Sequence, residues 1–162
     1  MTRKINLVVA FLFAVALALA AGDVAEAKSV DAQFYVGYDF YSYAYLSPDY
    51  KVVNAKMDVK TFTENGRAYV PVRYLAYALG VAEKDVTWDE ASQTVTLCME
   101  GTTVKLQVGN KTIYVNGQAK QMDVAPLLRD GRVFLPVRFV AEAFGYEVYY
   151  WDGLISVELP KK

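Results

Sequence analysis

Hydrophobic and polar positions along the chain change period several times, and the changes recur. Ala68–Val72 and Val133–Val137 read as short strands, introduced by the tight-turn dipeptides Asn65-Gly66 and Asp130-Gly131. Pro71 and Pro136 withdraw a ladder donor and mark where each strand gives way. The spacing then becomes helical, with Tyr74, Leu75, Ala78 and Leu79 on one apolar face and Phe139, Val140, Ala143 and Phe144 on the other. Gly80 and Gly145 stand where a left-handed residue ends a helix. Each helix is about two turns long, too short to persist without a sheet to dock on. Downstream, Trp88-Asp89 and Trp151-Asp152 each precede a period-two strand, Thr94–Leu97 and Leu154–Leu159. Thr103–Val108 alternates, and Asn116-Gly117 predicts a hairpin.

These recurrences are one repeat. Residues 57–80 align without a gap on residues 122–145 at an offset of 65, with 11 identities in 24 positions. The predicted fold is therefore α+β, as two tandem copies of a small unit of twisted antiparallel sheet packed on one short helix. Residues 28–100 form the first half and 101–162 the second. The first half carries an addition without a counterpart, the aromatic run Phe34–Tyr50, read as a hairpin with strands near 34–46 and 50–59 around Ser47-Pro48-Asp49.

The first 27 residues are set apart as a secretory signal peptide. Arg3 and Lys4 precede the apolar run Leu7–Ala21, and Ala25-Glu26-Ala27 supplies a small-x-small cleavage site. The run is shorter than the ~20 residues that span a bilayer, so no membrane span is expected after cleavage, and the protein is expected to be secreted or envelope-associated. The lone Cys98 excludes a disulfide framework and reads as a small buried hydrophobe. A net charge of -1 with interspersed signs offers no footprint for nucleic acid. With no histidine, histidine-dependent catalysis and histidine-ligated metals are excluded.

The ordered string Asn116-Gly117, Met122-Asp123-Val124-Ala125-Pro126, Gly131-Arg132, Pro136-x-Arg138-Phe139-x-Ala141-Glu142-Ala143-x-Gly145 and Trp151-Asp152 resembles the copper amine oxidase N-terminal-like domain, or stalk domain, over about residues 33–159. The resemblance implies an α+β module of exported bacterial proteins that is separate from the copper and quinone chemistry of the oxidase. No cofactor or metal is expected, because the chain has neither histidines for copper nor a quinone-forming Asn-Tyr-Asp or Asn-Tyr-Glu triplet. The first half departs from the pattern at Thr61, which matches Pro126, and at Tyr77, which matches Glu142.

The candidate chemistry follows. Arg67, Arg73, Arg132 and Arg138 could clamp an acidic ligand, but their repetition favours bracing, each within its own half, by carboxylates such as Asp58 and Asp123 or Asp89 and Asp152. Trp88 and Trp151 are expected in the core. Tyr38, Tyr41, Tyr43 and Tyr45 are the candidate ligand surface, since phenol rings offer flat apolar area with a hydroxyl. The expectation is a non-catalytic module, complete as the chain stands, that binds wall polysaccharide or another surface protein. The alternatives are an oligomerisation subunit pairing through sheet edges and a small hydrolase drawing carboxylates from Asp89, Asp152 and Glu142.

Overall fold

The computed structural model describes residues 29–46 and 49–161; the signal-peptide reading at residues 1–27 lies outside them. The strands are β1 (Ser29–Tyr35), β2 (Phe40–Leu46), β3 (Tyr50–Lys56), β4 (Phe62–Glu64), β5 (Arg67–Pro71), β6 (Val86–Asp89), β7 (Thr94–Met99), β8 (Thr102–Gln107), β9 (Thr112–Val115), β10 (Gln118–Gln121), β11 (Leu127–Arg129), β12 (Arg132–Pro136), β13 (Glu147–Trp151) and β14 (Leu154–Glu158). The helices are α1 (Val72–Leu79) and α2 (Val137–Ala143), with a 3-10 turn at Glu83–Asp85. The architecture is α+β, mostly antiparallel sheet with two short helices.

The strands assemble into three sheets, of order β13-β14-β1-β2-β3, β10-β9-β8-β7-β6 and β11-β12-β5-β4. Every sheet draws strands from both sides of residue 100, so neither predicted half owns a sheet, contrary to the expectation of one sheet per unit. The physical reason is size. A two-turn helix and a few strands of three to seven residues cannot cover one another's apolar faces, and the chain closes each sheet with a hairpin from the other half. The two five-stranded sheets share one connection order, a late hairpin (β13-β14 or β6-β7) laid beside a three-stranded meander (β1-β2-β3 or β8-β9-β10).

The small central sheet joins the repeated segments. β5 and β12 run antiparallel with Val70 opposite Leu135, each 0% exposed. Both strands end at their proline, and the helices start at the next residue, as the loss of the ladder donor predicts. At the far ends, Gly80 (φ 90°) and Gly145 (φ 83°) turn the chain into the left-handed region. The amides of Val81 and Tyr146 then donate to the carbonyls of Ala76 and Ala141 at 2.9 and 3.0 Å, so both helices end in the same way.

The first strand expected of the aromatic run, 34–46, is two strands. Val36–Asp39 turns the chain around Gly37 (φ 83°), so 34–46 divides between β1 and β2, and β3 ends at Lys56. The core lies between the sheets and helices and includes Phe34, Leu75, Leu79, Leu97, Leu106, Leu135 and Ile155. Tyr146 crosses it, its hydroxyl donating toward the carbonyls of Leu79 (2.8 Å) and Ser29 (2.9 Å), which ties α1 and β1 to the start of β13. Burial pushes this phenol up to about 12. Cys98 is half-buried on the outward side of β7, 3.7 Å from the Thr103 hydroxyl, rather than in the core.

The arginine ion pairs cross between the repeated segments. Arg67 binds Asp123 through Nε and Nη2, and Arg132 binds Asp58 through Nε (2.8 Å) and Nη2. Bracing by Asp58 and Asp123 is therefore present, but each arginine takes the aspartate of the other half. Antiparallel pairing of β5 with β12 accounts for this, because it sets the start of each strand against the far segment. Hydrogen bonds from Arg132 and Arg67 hold the Asp58 and Asp123 carboxyls below their usual range.

Two outcomes test this account. Tyr146→Phe removes the one hydroxyl proton that two buried carbonyls share and should cost ~1–3 kcal/mol in urea unfolding. Because the folded phenol titrates above its unfolded value, its contribution is complete below about pH 10 and is lost as pH rises through about 12. Stability should fall across that window, and less steeply in the variant. Asp58→Asn and Asp123→Asn should each lower the melting temperature slightly at neutral pH. Depressed carboxyls contribute above their unfolded value, so the differences should vanish as pH falls through the folded ones, and high salt should shrink them. Equal losses in acid and at neutrality would show that the pairs do not brace the halves.

Candidate functional site

Strand alternation sorts the predicted tyrosines. β2 pairs with β1 so that Tyr41 lies opposite the fully buried Phe34, which turns Tyr41, Tyr43 and Tyr45 to the inward face. Tyr41 stacks on Phe34 (5.3 Å, 5°) and continues into Tyr43 (5.9 Å) and Tyr45 (6.5 Å). Its ring also meets Tyr74 of α1 at 5.7 Å. Tyr41 is only 5% exposed, and burial, reinforced by the neighbouring phenols of Tyr43, Tyr74 and Tyr77, pushes its hydroxyl up to about 12. Tyr41, Tyr43 and Tyr45 form a column whose Tyr41 end packs against the helix. Only Tyr38 of the predicted four stands well out in solvent, at 56%.

Tyr38 belongs to a surface that sequence reasoning missed. On the outer face of its sheet, Trp151 of β13 lies opposite Leu154, and Leu154 lies opposite Tyr35. Tyr35 then touches Phe40 at 5.2 Å, and Tyr38 folds over from the turn to meet Phe40 (5.4 Å) and Tyr35 (6.4 Å). The result is an aromatic strip across four strands, with Trp151 77% exposed. The adjacent rung is polar, running Tyr149, Ser156, Gln33, Ser42 and Asn54. The corresponding face of the other five-stranded sheet carries Thr87, Thr96, Lys105 and Tyr114 on consecutive strands, with no such strip. The signal was period-two alternation across the Val36–Asp39 turn, visible only once that turn is recognised.

Neither tryptophan is in the core. Trp88 (42% exposed) pairs with the buried Val95 and faces inward at a sheet edge, whereas the matching inward position in the other sheet, opposite Ile155, is Tyr150. Trp151 is one residue farther along and so points outward. The cause is loop length, four residues between Asp89 and Thr94 but two between Trp151 and Leu154, because a one-residue slip reverses a side chain's face. Asp89 serves its turn, accepting from the amides of Ala91 (3.0 Å) and Ser92 (3.4 Å) and from the Ser92 hydroxyl (2.9 Å), which hold its carboxyl below its usual range. Asp152 occupies the tight β13–β14 turn at φ 45°. Glu142 is exposed on α2, and none of these three carboxylates lines a cleft described below.

The repeated motif lines two clefts, each built from both segments. In the smaller, of about 230 Å³, Gly66 and Arg67 face Pro136, Val137 and Arg138, with Val148 and Tyr150 closing the side. In the larger, of about 570 Å³, Gly131 and Arg132 face Pro71, Val72 and Arg73, with Val86 and Trp88 in the corresponding places. One arginine in each cleft is held by an aspartate, while Arg138 and Arg73 have no ion-pair partner among the described residues. The larger cleft is also the more decorated. The Tyr74 hydroxyl donates to Asp58 at 3.0 Å, an interaction its counterpart Phe139 cannot make. Among the described residues no group of three or more His, Cys, Asp or Glu side chains is placed to hold a metal ion.

The chain is 33% identical over 60 residues to a primary amine oxidase of Klebsiella aerogenes, a match covering 37% of this chain and 8% of that protein's length. No solved structure matches the chain. A family model described as the copper amine oxidase N-terminal domain matches residues 50–159, a span containing the central sheet, both helices and both clefts. The chain belongs to the copper amine oxidase N-terminal domain family.

Proposed function

We propose that the protein is a non-catalytic, exported binding module of the cell envelope that holds a wall polysaccharide against the outer face of the β13-β14-β1-β2-β3 sheet. The observation that carries this reading is the strip of Trp151, Leu154, Tyr35, Phe40 and Tyr38 beside a polar rung. Exposed rings offer flat apolar faces to the C–H surfaces of sugars, and amphipathic tyrosines add a hydroxyl at little entropic cost. Gln33, Ser42 and Asn54 supply donors and acceptors one rung away for hydroxyl groups. Strands ~4.8 Å apart space these contacts along an extended polymer.

The unequal treatment of the two five-stranded sheets supports the same reading. We infer that the chain consists of two tandem copies of one unit whose late hairpins are exchanged, and that binding was added to the copy that received the aromatic run. A hydrolase reading has less support, since Asp89, Asp152 and Glu142 sit on separate turns and a helix and serve no common cleft. A surface-protein partner is the second reading, favoured by β10, an edge strand whose four residues are all exposed.

Pull-down of residues 28–162 against purified peptidoglycan and other wall polymers tests the proposal. Trp151→Ala should weaken retention about tenfold, the equivalent of ~1.4 kcal/mol, and Trp151→Ala/Tyr38→Ala should abolish it, with circular dichroism unchanged. Full retention by the double variant would remove the aromatic strip from the account. Indifference of the unmodified protein to every polymer, with capture of a surface protein that substitutions on β10 prevent, would favour the second reading.

A further inference from the structure

The two clefts are framed by matching residues, yet the larger has more than twice the volume. Two longer connections lie at the larger one. Four residues separate Val81 from Val86, where one separates Tyr146 from Val148. The β6–β7 loop is also two residues longer than the β13–β14 loop. Both insertions border the larger cleft, the first contributing Glu83 and the second Glu90 and Gln93. Insertions at two separate points of the chain that converge on one cavity shape a site rather than a generally longer surface.

The side chains added there have a definite polarity. Arg132 is neutralised by Asp58, which leaves Arg73, on the first turn of α1, as the cation without an ion-pair partner among the described residues. Glu83 and Glu90 likewise have no ion-pair partner among the described residues, and Glu83 lies beyond the other end of α1. Tyr77 stands between the two ends, its phenol raised chiefly by burial and by Glu83, to which it hydrogen-bonds without neutralising the charge, and lowered by Arg73. Trp88 adds an exposed indole. A neutral sugar would leave three charges unanswered, and a simple acid or amine would answer only one end. A ligand with both charges, held apart by a flexible stretch of several bonds, meets all of them, with the ammonium near an aromatic ring.

We propose that the larger cleft binds a short zwitterionic peptide, its ammonium group taken by Glu83 and Glu90 beside Trp88 and its carboxylate by Arg73. The site is distinct from the aromatic strip and does not depend on polysaccharide binding.

The two tryptophans make the test internal to one protein. Residues 28–162 labelled with nitrogen-15 give one indole N–H signal from Trp88 and one from Trp151, assigned with Trp88→Phe. The probe is N-acetyl-alanyl-lysine with a free carboxylate, compared with its norleucine analogue, which lacks the ammonium, and with its carboxamide. Saturable movement of the Trp88 signal alone is expected with the first probe. Apparent affinity should be at least tenfold weaker for the other two, and all binding should weaken with added salt. Glu83→Gln/Glu90→Gln should abolish the preference for lysine over norleucine, and Arg73→Gln the preference for acid over amide. No saturable shift, equal response to all three probes, or preferences that survive these substitutions would overturn the proposal. A Trp151 shift with wall polymer alongside a Trp88 signal that none of the three peptides moves would uphold the strip and reject the cleft.

Discussion

The antiparallel pairing of Val70 with Leu135 is the contact from which the remaining geometry follows. These residues occupy the same position in the two repeated segments, so the segments meet through a self-complementary edge, as identical subunits do across a two-fold axis. Antiparallel pairing about that point sends α1 and α2 away in opposite senses. It also carries each arginine to the other segment's aspartate and sets each glycine turn against the other segment's proline corner. The clefts are consequences of this contact, since neither can be assembled from one segment. With every sheet also shared, the two halves of the chain gain or lose structure together.

What the sequence made legible was what short-range chemistry decides. The proline corners, the left-handed glycines and the two-turn helices lie where local rules put them, because each depends on the backbone limits of one or two residues. The placing of each late hairpin beside a meander from the other side of residue 100 was not legible. Thr94–Leu97 reads as the same strand whether its far neighbour comes from its own half or the other, and periodicity carries no partner information. The tyrosines failed for a related reason: alternation shows that Tyr41, Tyr43 and Tyr45 share a face but not which way that face looks. The tryptophans failed because a repeated dipeptide was taken as a repeated environment, whereas two residues of loop length put Trp88 and Trp151 on opposite faces.

The matching parts differ at the two surfaces for which binding is proposed. The frame common to both segments is held by apolar contacts, cap hydrogen bonds and crossed ion pairs, and each of these has its counterpart. The aromatic strip has none on the other five-stranded sheet, and the insertions around Trp88 have none beside Tyr150. A duplicated frame can acquire such features on one side because the opposite side keeps the two-fold contact intact. In a small fold whose helices cannot stand alone, this allows surface change without core redesign.

One consequence lies in the order in which the chain becomes available. β1 sits between β2 and β14, and Gln33 takes Ser156 as its partner from 123 residues farther along. A chain that emerges amino end first therefore holds β1 with one ladder edge open until nearly all of the described sequence has followed. Long-range pairing of this kind slows folding. The strand that begins the described structure is thus among the last to be completed, and the incomplete chain stays unfastened along the seam that finally closes it.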